Sequence, residues 1–160
     1  MDQHAPISML ICGNDRSDPL RRLRSYLDTI PHLHTDVSRK LPTDPSQWQV
    51  IVCGPETQSD EQIERLTGHV RSGGGWLMFV DPAVRTIPSL FGTRPEPGGP
   101  ACEMRVLFGK HDHPMAVRLP DAIYIQGHFQ PLVLDSDDAE MILYTDWRSA
   151  HRAVLVMRSH

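Results

Sequence analysis

Short continuous apolar runs alternate with amphipathic stretches through the first half of the chain. Ile7–Gly13 (ISMLICG) is an apolar run that ends in glycine, the pattern of a buried strand entering a turn. Asp18 then offers an N-cap and Pro19 the first helical position. Leu20, Leu23, Leu27 and Ile30 follow at spacings of three and four, so one helix face is apolar, and Pro31 stops it. His32–Arg39 alternates loosely (Leu33, Thr35, Val37), which predicts a short strand suited to a sheet edge. After a loop over 41–47 that contains Pro and Asp, Trp48–Gly54 (WQVIVCG) repeats the first run, as a parallel strand covered on both faces would. Ser59 and Gln62 have capping-box spacing, and Ile63, Leu66 and Val70 form a helical stripe ending at Gly73-Gly74-Gly75. Trp76–Val80 is a third buried strand, closed by Asp81-Pro82. Repeated strand–crossover–strand units predict an α/β domain with a mainly parallel sheet, because parallel pairing needs such crossovers.

The second half is richer in β pattern. Arg94–Pro100, with three prolines and two glycines, reads as a loop, neither helix nor strand. Cys102–Phe108, Ala122–Ile125, Ala139–Thr145 and Ala153–Met157 are strand-like, and the last two are close enough to form an antiparallel pair joined near Asp146–Arg152.

Composition narrows the functional classes. The length of 160 residues predicts one domain, and 39% hydrophobic with 22% charged residues is enough to fold on. Sixteen basic against twenty acidic residues, with the signs mixed, leave no basic footprint for nucleic acid. Apolar stretches of about five residues fall far short of the ~20 that span a bilayer, and the polar start (Met1-Asp2-Gln3-His4) is not a signal peptide pattern. Three cysteines without a CxxC pair fit reduced thiols, so a cytoplasmic location is expected. Nine histidines include the pairs His32/His34 and His111/His113, but no HExxH or CxxC accompanies them, and no metal site or cofactor is expected.

Candidate chemistry sits at the strand ends. Ligands of open α/β sheets bind outside the carboxyl ends of the strands, which puts Cys12, Gly13, Cys53, Gly54 and Pro55 on a binding rim. Each cysteine is either a reactive thiol or, the preferred reading, a small buried hydrophobe. Gly73-Gly74-Gly75 could cradle a phosphate, but it follows a helix, whereas such fingerprints precede one, so a C-cap and turn are preferred. His111-Asp112-His113 could supply an acid, a base or metal ligands, or simply a turn. Trp76 and Trp147 are expected to pack.

Several segments carry a family resemblance: WQVIVCGP (Trp48–Pro55), LTGHVRSGGGWLMFVDP (Leu66–Pro82), HDHPMAVRLPD (His111–Asp121) and AEMILYTDW (Ala139–Trp147). Together they resemble the ThuA-like (trehalose-utilisation) branch of the class I glutamine amidotransferase-like superfamily, over about Val50–Val156. The resemblance implies a flavodoxin-like three-layer sandwich, and a single domain over 1–160 that is short at its C-terminus. It also has departures. The family carries His-Gly after the central strand, where this chain has Val80-Asp81-Pro82-Ala83, and an acidic residue near the position of Gln126-Gly127-His128-Phe129. Amidotransferases of this fold place a nucleophilic Cys on the elbow after that strand. Asp81 stands there, which implies that glutaminase chemistry is absent. Asp81 is then a base or nucleophile or, the preferred reading, a cap with Pro82 at the first helical position. With His113 and His128 it makes the candidate catalytic set. The resemblance implies a binding or scaffolding domain for a small sugar-related molecule, with two alternatives: an enzyme acting on a sugar or keto-sugar derivative, or an accessory amidotransferase-like domain of a transport system. A homo-oligomer is compatible with each.

Overall fold

The computed structural model describes residues 5–13, 18–54, 58–81, 83–97, 101–109, 114, 120, 122–145 and 152–160; of 18–19, 101–104 and 125–128 it describes the backbone alone. The chain divides into two compact units, Met1–Phe79 with His160, and Val80–Ser159.

The first unit is built from β1 (Ile7–Cys12), α1 (Asp18–Leu27), β2 (Leu33–Ser38), β3 (Val50–Cys53), α2 (Asp60–Arg71) and β4 (Gly75–Met78). Its four strands form a parallel sheet in the order β2-β1-β3-β4. Successive strand side chains point to opposite faces, and the continuous apolar runs therefore fill two cores. On one face Ile11 and Val52 pack with Leu20 and Leu27 of α1. On the other, Leu10, Cys12, Ile51 and Cys53 pack with Leu41 and with Leu66 of α2, flanked by Trp48 and Trp76. The two helices thus cover opposite faces of the sheet.

Local signals explain where these elements stop. The capping box of α2 forms as its spacing predicts: the Ser59 N–H donates to Gln62 Oε1 at 2.8 Å and the Gln62 N–H to Ser59 Oγ at 3.3 Å. In contrast, α1 ends at Leu27, short of the expected Ile30, because Thr29 and Ile30 donate three residues back, to Tyr26 and Leu27. That tightened turn leaves Ile30 39% exposed. The glycine run is a cap and a turn. Gly73, at φ 94°, donates to the Val70 carbonyl, Gly74 to His69 and Gly75 to Gln49, so all three amides are occupied and none can cradle a phosphate.

The second unit contains a 3₁₀ turn (Ser89–Phe91), β5 (Thr93–Pro95), β6 (Ala101–Phe108), β7 (Ala122–Phe129), β8 (Leu132–Leu134), β9 (Ala139–Thr145) and β10 (Arg152–Arg158). Its sheet has the order β5-β8-β10-β9-β6-β7, and every described pairing is antiparallel. The mainly parallel sheet expected for the chain is therefore confined to the first unit. β9 and β10 pair as predicted, Arg152 opposite Thr145. The expectation of a strand-free loop at Arg94 is corrected: Thr93–Pro95 is an edge strand, a position that tolerates a proline lacking an N–H. The buried apolar residues of the second unit include Val106, Phe108, Ile142 and Ala153. Buried Gln130 is satisfied by donating to the carbonyls of Glu96 (3.1 Å) and Pro131 (3.0 Å).

Candidate functional site

The carboxyl ends of β1 and β3 are the expected binding rim. Their parallel register sets Cys12 beside Cys53. Neither is in a disulfide, and both are buried, at 5% and 0% exposure, within the core under α2. A thiolate must reach solvent or substrate to react, so the described geometry gives both thiols a packing role. The following glycine amides are also occupied: Gly13 donates to the Ser38 carbonyl at 3.0 Å and Gly54 to Cys12 at 3.1 Å. Pro55 lies outside the described residues.

Asp81 turns its carboxylate onto its own backbone. Oδ1 accepts from the Ala83 N–H at 2.7 Å and the Val84 N–H at 3.2 Å. These are the bonds of a cap, but no helix follows; the described chain stays irregular until the 3₁₀ turn at Ser89–Phe91. The polar side chain has made a local turn of the kind Asp favours. His113, with His111 and Asp112, lies outside the described residues, and His128 is described only as backbone in β7, opposite Cys102. Whether Asp81 meets either histidine side chain therefore lies outside the described residues.

A cleft of about 430 Å³ lies at the other end of the parallel sheet, lined by residues that precede β3 and β4 and by the last turns of α2. Asp44 and Ser46 close a small turn: the Ser46 N–H donates to Asp44 Oδ1 at 2.9 Å, and hydrogen bonds from Ser46 hold the Asp44 carboxyl below its usual pKa. Trp48, on the same wall, anchors its ring N–H on Asp36 Oδ2 at 2.8 Å. From α2, Arg65 reaches the Pro42 carbonyl through Nη1 at 2.9 Å, while its Nε is buried without a hydrogen-bond partner.

One turn further along α2, His69 is only 8% exposed, and its Nε2 also has no hydrogen-bond partner. Burial pushes its pKa below the ordinary imidazole value, opposed by the backbone of Gln49 and Gly75, so the ring is held toward its neutral form. The ring fits because residue 74 is glycine: a Cβ there would overlap Nε2. Arg65 and His69 escape a reading of hydrophobic periodicity because both are polar residues on a helix named by its apolar stripe. The available signal was their i, i+4 spacing beside Leu66, next to a triple glycine. Among the described residues, no group of three or more His, Cys, Asp or Glu is placed to hold a metal ion, and no helix is long and apolar enough to cross a membrane. Chemically, the cleft offers an aromatic ring, a guanidinium, an imidazole, hydroxyls and a carboxylate.

No family model and no curated protein matches the sequence. Solved structures do match in fold. A protein from Bacteroides uniformis described as ThuA-like superposes at a TM-score of 0.67 with 12% identity, over 100% of this chain and 76% of its own. A protein from Thermoplasma acidophilum described as a component of GMP synthase gives 0.54 with 14% identity, over 98% and 80%. A third, SMU.1228c, gives 0.58 with 9% identity, over 88% and 68%. At these identities the likeness is one of fold: the chain has the α/β fold found in ThuA-like and amidotransferase-like proteins.

Proposed function

We propose that this chain is a single ThuA-like domain, without glutaminase activity, that binds a small sugar-related molecule in the cleft formed by Trp48, Arg65 and His69. The observation that carries the reading is that cleft: an aromatic face beside hydroxyl, amide and charged groups, of a volume suited to a small ligand. The described strand ends support the loss of amide hydrolysis, since Cys12 and Cys53 are buried and Asp81 is engaged by its own backbone. The strand order β2-β1-β3-β4, with helices on both faces, favours a flavodoxin-like arrangement of the first unit.

The test is a thermal-shift and calorimetric screen with neutral sugars, keto-sugars and primary amides, together with an ammonia-release assay on glutamine. A ligand at about 100 times its Kd raises stability by roughly 2.7 kcal/mol. Stabilisation by a sugar that is lost in Trp48→Ala and Arg65→Ala, with no ammonia released, is the expected result. His113→Ala and His128→Ala leave that binding unchanged. A sugar response abolished by the histidine variants and retained in Arg65→Ala would move the site to the histidines and favour an enzyme acting on a sugar derivative.

A further inference from the structure

The second unit holds a cavity of its own, about 530 Å³, between the segment Arg85–Pro95 and the turn joining β8 to β9. Three guanidiniums line it, those of Arg85, Arg94 and Arg158, against a single lining carboxylate, Asp135. With Asp138, which pairs with Arg158 from outside the lining, the guanidiniums outnumber the carboxylates here by one, in a chain whose formal net charge is -4.

Two of these arginines are held in place. Arg94 donates through Nε to Asp135 Oδ1 at 2.8 Å, and this bond leaves both of its Nη groups uncommitted among the described residues. Arg158 is fixed by Asp138 Oδ2, at 2.9 Å from Nε and 2.8 Å from Nη2, and its Nη1 reaches the carbonyls of Ser89 (3.2 Å) and Leu90 (3.3 Å). Asp138 is itself engaged by the Ser136 hydroxyl; that hydrogen bond first and Arg158 second hold its carboxyl below the usual range, so it stays anionic under the arginine. Arg85 makes no ion pair or hydrogen bond among the described residues.

The floor of the cavity is equally determined. Gly92 sits in the left-handed region at φ 62°, accepts from the Asp135 N–H at 2.8 Å, and would bring a Cβ to 2.8 Å from Ser136 Cβ and 3.3 Å from Arg158 Cδ. The turn that carries Ser136 and Asp135 is thereby locked to the residue that leads into the strand of Arg94. A guanidinium cannot shed its charge at physiological pH, and its planar edge matches an oxyanion. Arginines pre-positioned by carboxylates lose little entropy when such a group arrives.

We propose that this cavity is a binding site for a small molecule bearing a phosphate or carboxylate group, with Arg85 and the free edge of Arg94 as its principal charge partners and Arg158 as a fixed wall. The site is separate from the sugar cleft and does not depend on it.

Isothermal titration at constant ionic strength, with inorganic phosphate, glucose 6-phosphate, gluconate and glucose as probes, tests the proposal. Saturable 1:1 binding of the anionic probes is expected, weakened at least tenfold by Arg94→Gln and by Arg85→Gln, and unchanged by Arg65→Gln in the other cleft. Arg85→Gln removes no described contact, so it keeps the test valid if Arg94→Gln disturbs the fold. Tighter binding of the two phosphates than of gluconate assigns a phosphoryl ligand, and the reverse order a carboxylate. Anion binding that is absent to tens of millimolar, or indifferent to both arginine variants, overturns the site. Glucose binding lost only in Arg65→Gln would support the sugar cleft whatever the anions do.

Discussion

Replacing Gly74 with alanine tests the packing around His69 directly. The new Cβ would overlap Nε2 and Cε1 and lie 2.6 Å from Cδ2 of a ring that is 8% exposed, so the ring or the turn has to move. Overfilling a packed site in this way costs about 1–3 kcal/mol, which corresponds to roughly 3–10 °C in Tm for a chain of this size. Backbone strain is not the cause, because Gly74, unlike Gly73, lies outside the positive-φ region. In a His69→Ala background the clash is gone, and Gly74→Ala then becomes neutral or gains about 0.4–1 kcal/mol by stiffening the unfolded chain. The double-mutant cycle, read by urea unfolding with Trp48 and Trp76 fluorescence, therefore gives a coupling of at least ~1 kcal/mol. An equal cost of Gly74→Ala with and without the imidazole would refute the packing argument. The same residue predicts a pH dependence. His69 has its folded pKa lowered from 6.5, so below that value the unfolded chain binds the proton more readily. Its stability contribution is full above pH 6.5 and is lost as pH falls through the folded pKa. His69→Ala should flatten that part of the stability–pH curve.

Ser59→Ala removes one half of the α2 capping box and should cost about 1 kcal/mol, measured by urea unfolding. In a Cys102→Ser background, Cys12 and Cys53 should react with a thiol reagent at the rate of unfolding, far more slowly than in denaturant, and prompt native-state labelling would contradict their burial. Cys53→Ser places a hydroxyl at a fully buried position and should destabilise by roughly 1–3 kcal/mol, whereas Cys53→Ala costs less if packing dominates.

The parallel half was legible because its information is local. Continuous runs such as Leu10–Cys12 and Ile51–Cys53 must be covered on both faces, which is where they lie. The Ser59/Gln62 spacing likewise names the helix start that forms. The second half was less so. β5 and β8 have three residues each, too few to show a period, and Pro95 argues for a loop unless the strand is known to be an edge. That the second sheet is antiparallel throughout depends on pairings such as Val106 with Thr145, set far apart in sequence and invisible to a windowed pattern.

The candidate sites divide on the same physical line. Strand-end residues can be named from the sequence because a strand's end is marked by its own neighbours, but whether they are available cannot be read there: Gly13, Gly54 and the carboxylate of Asp81 are each occupied by backbone partners. The two cavities show the converse. Arg65 meets Asp44 and Trp48 across more than fifteen residues of chain, and Arg94 meets Asp135 across 41, so neither grouping has a motif. What exposes them is unspent hydrogen-bonding capacity. Arg65 Nε and His69 Nε2 are buried without partners, and Arg94 spends one N–H of its guanidinium. Buried polar groups are ordinarily satisfied, so the unspent ones, more than the conspicuous glycines and cysteines, indicate where this chain has affinity to offer.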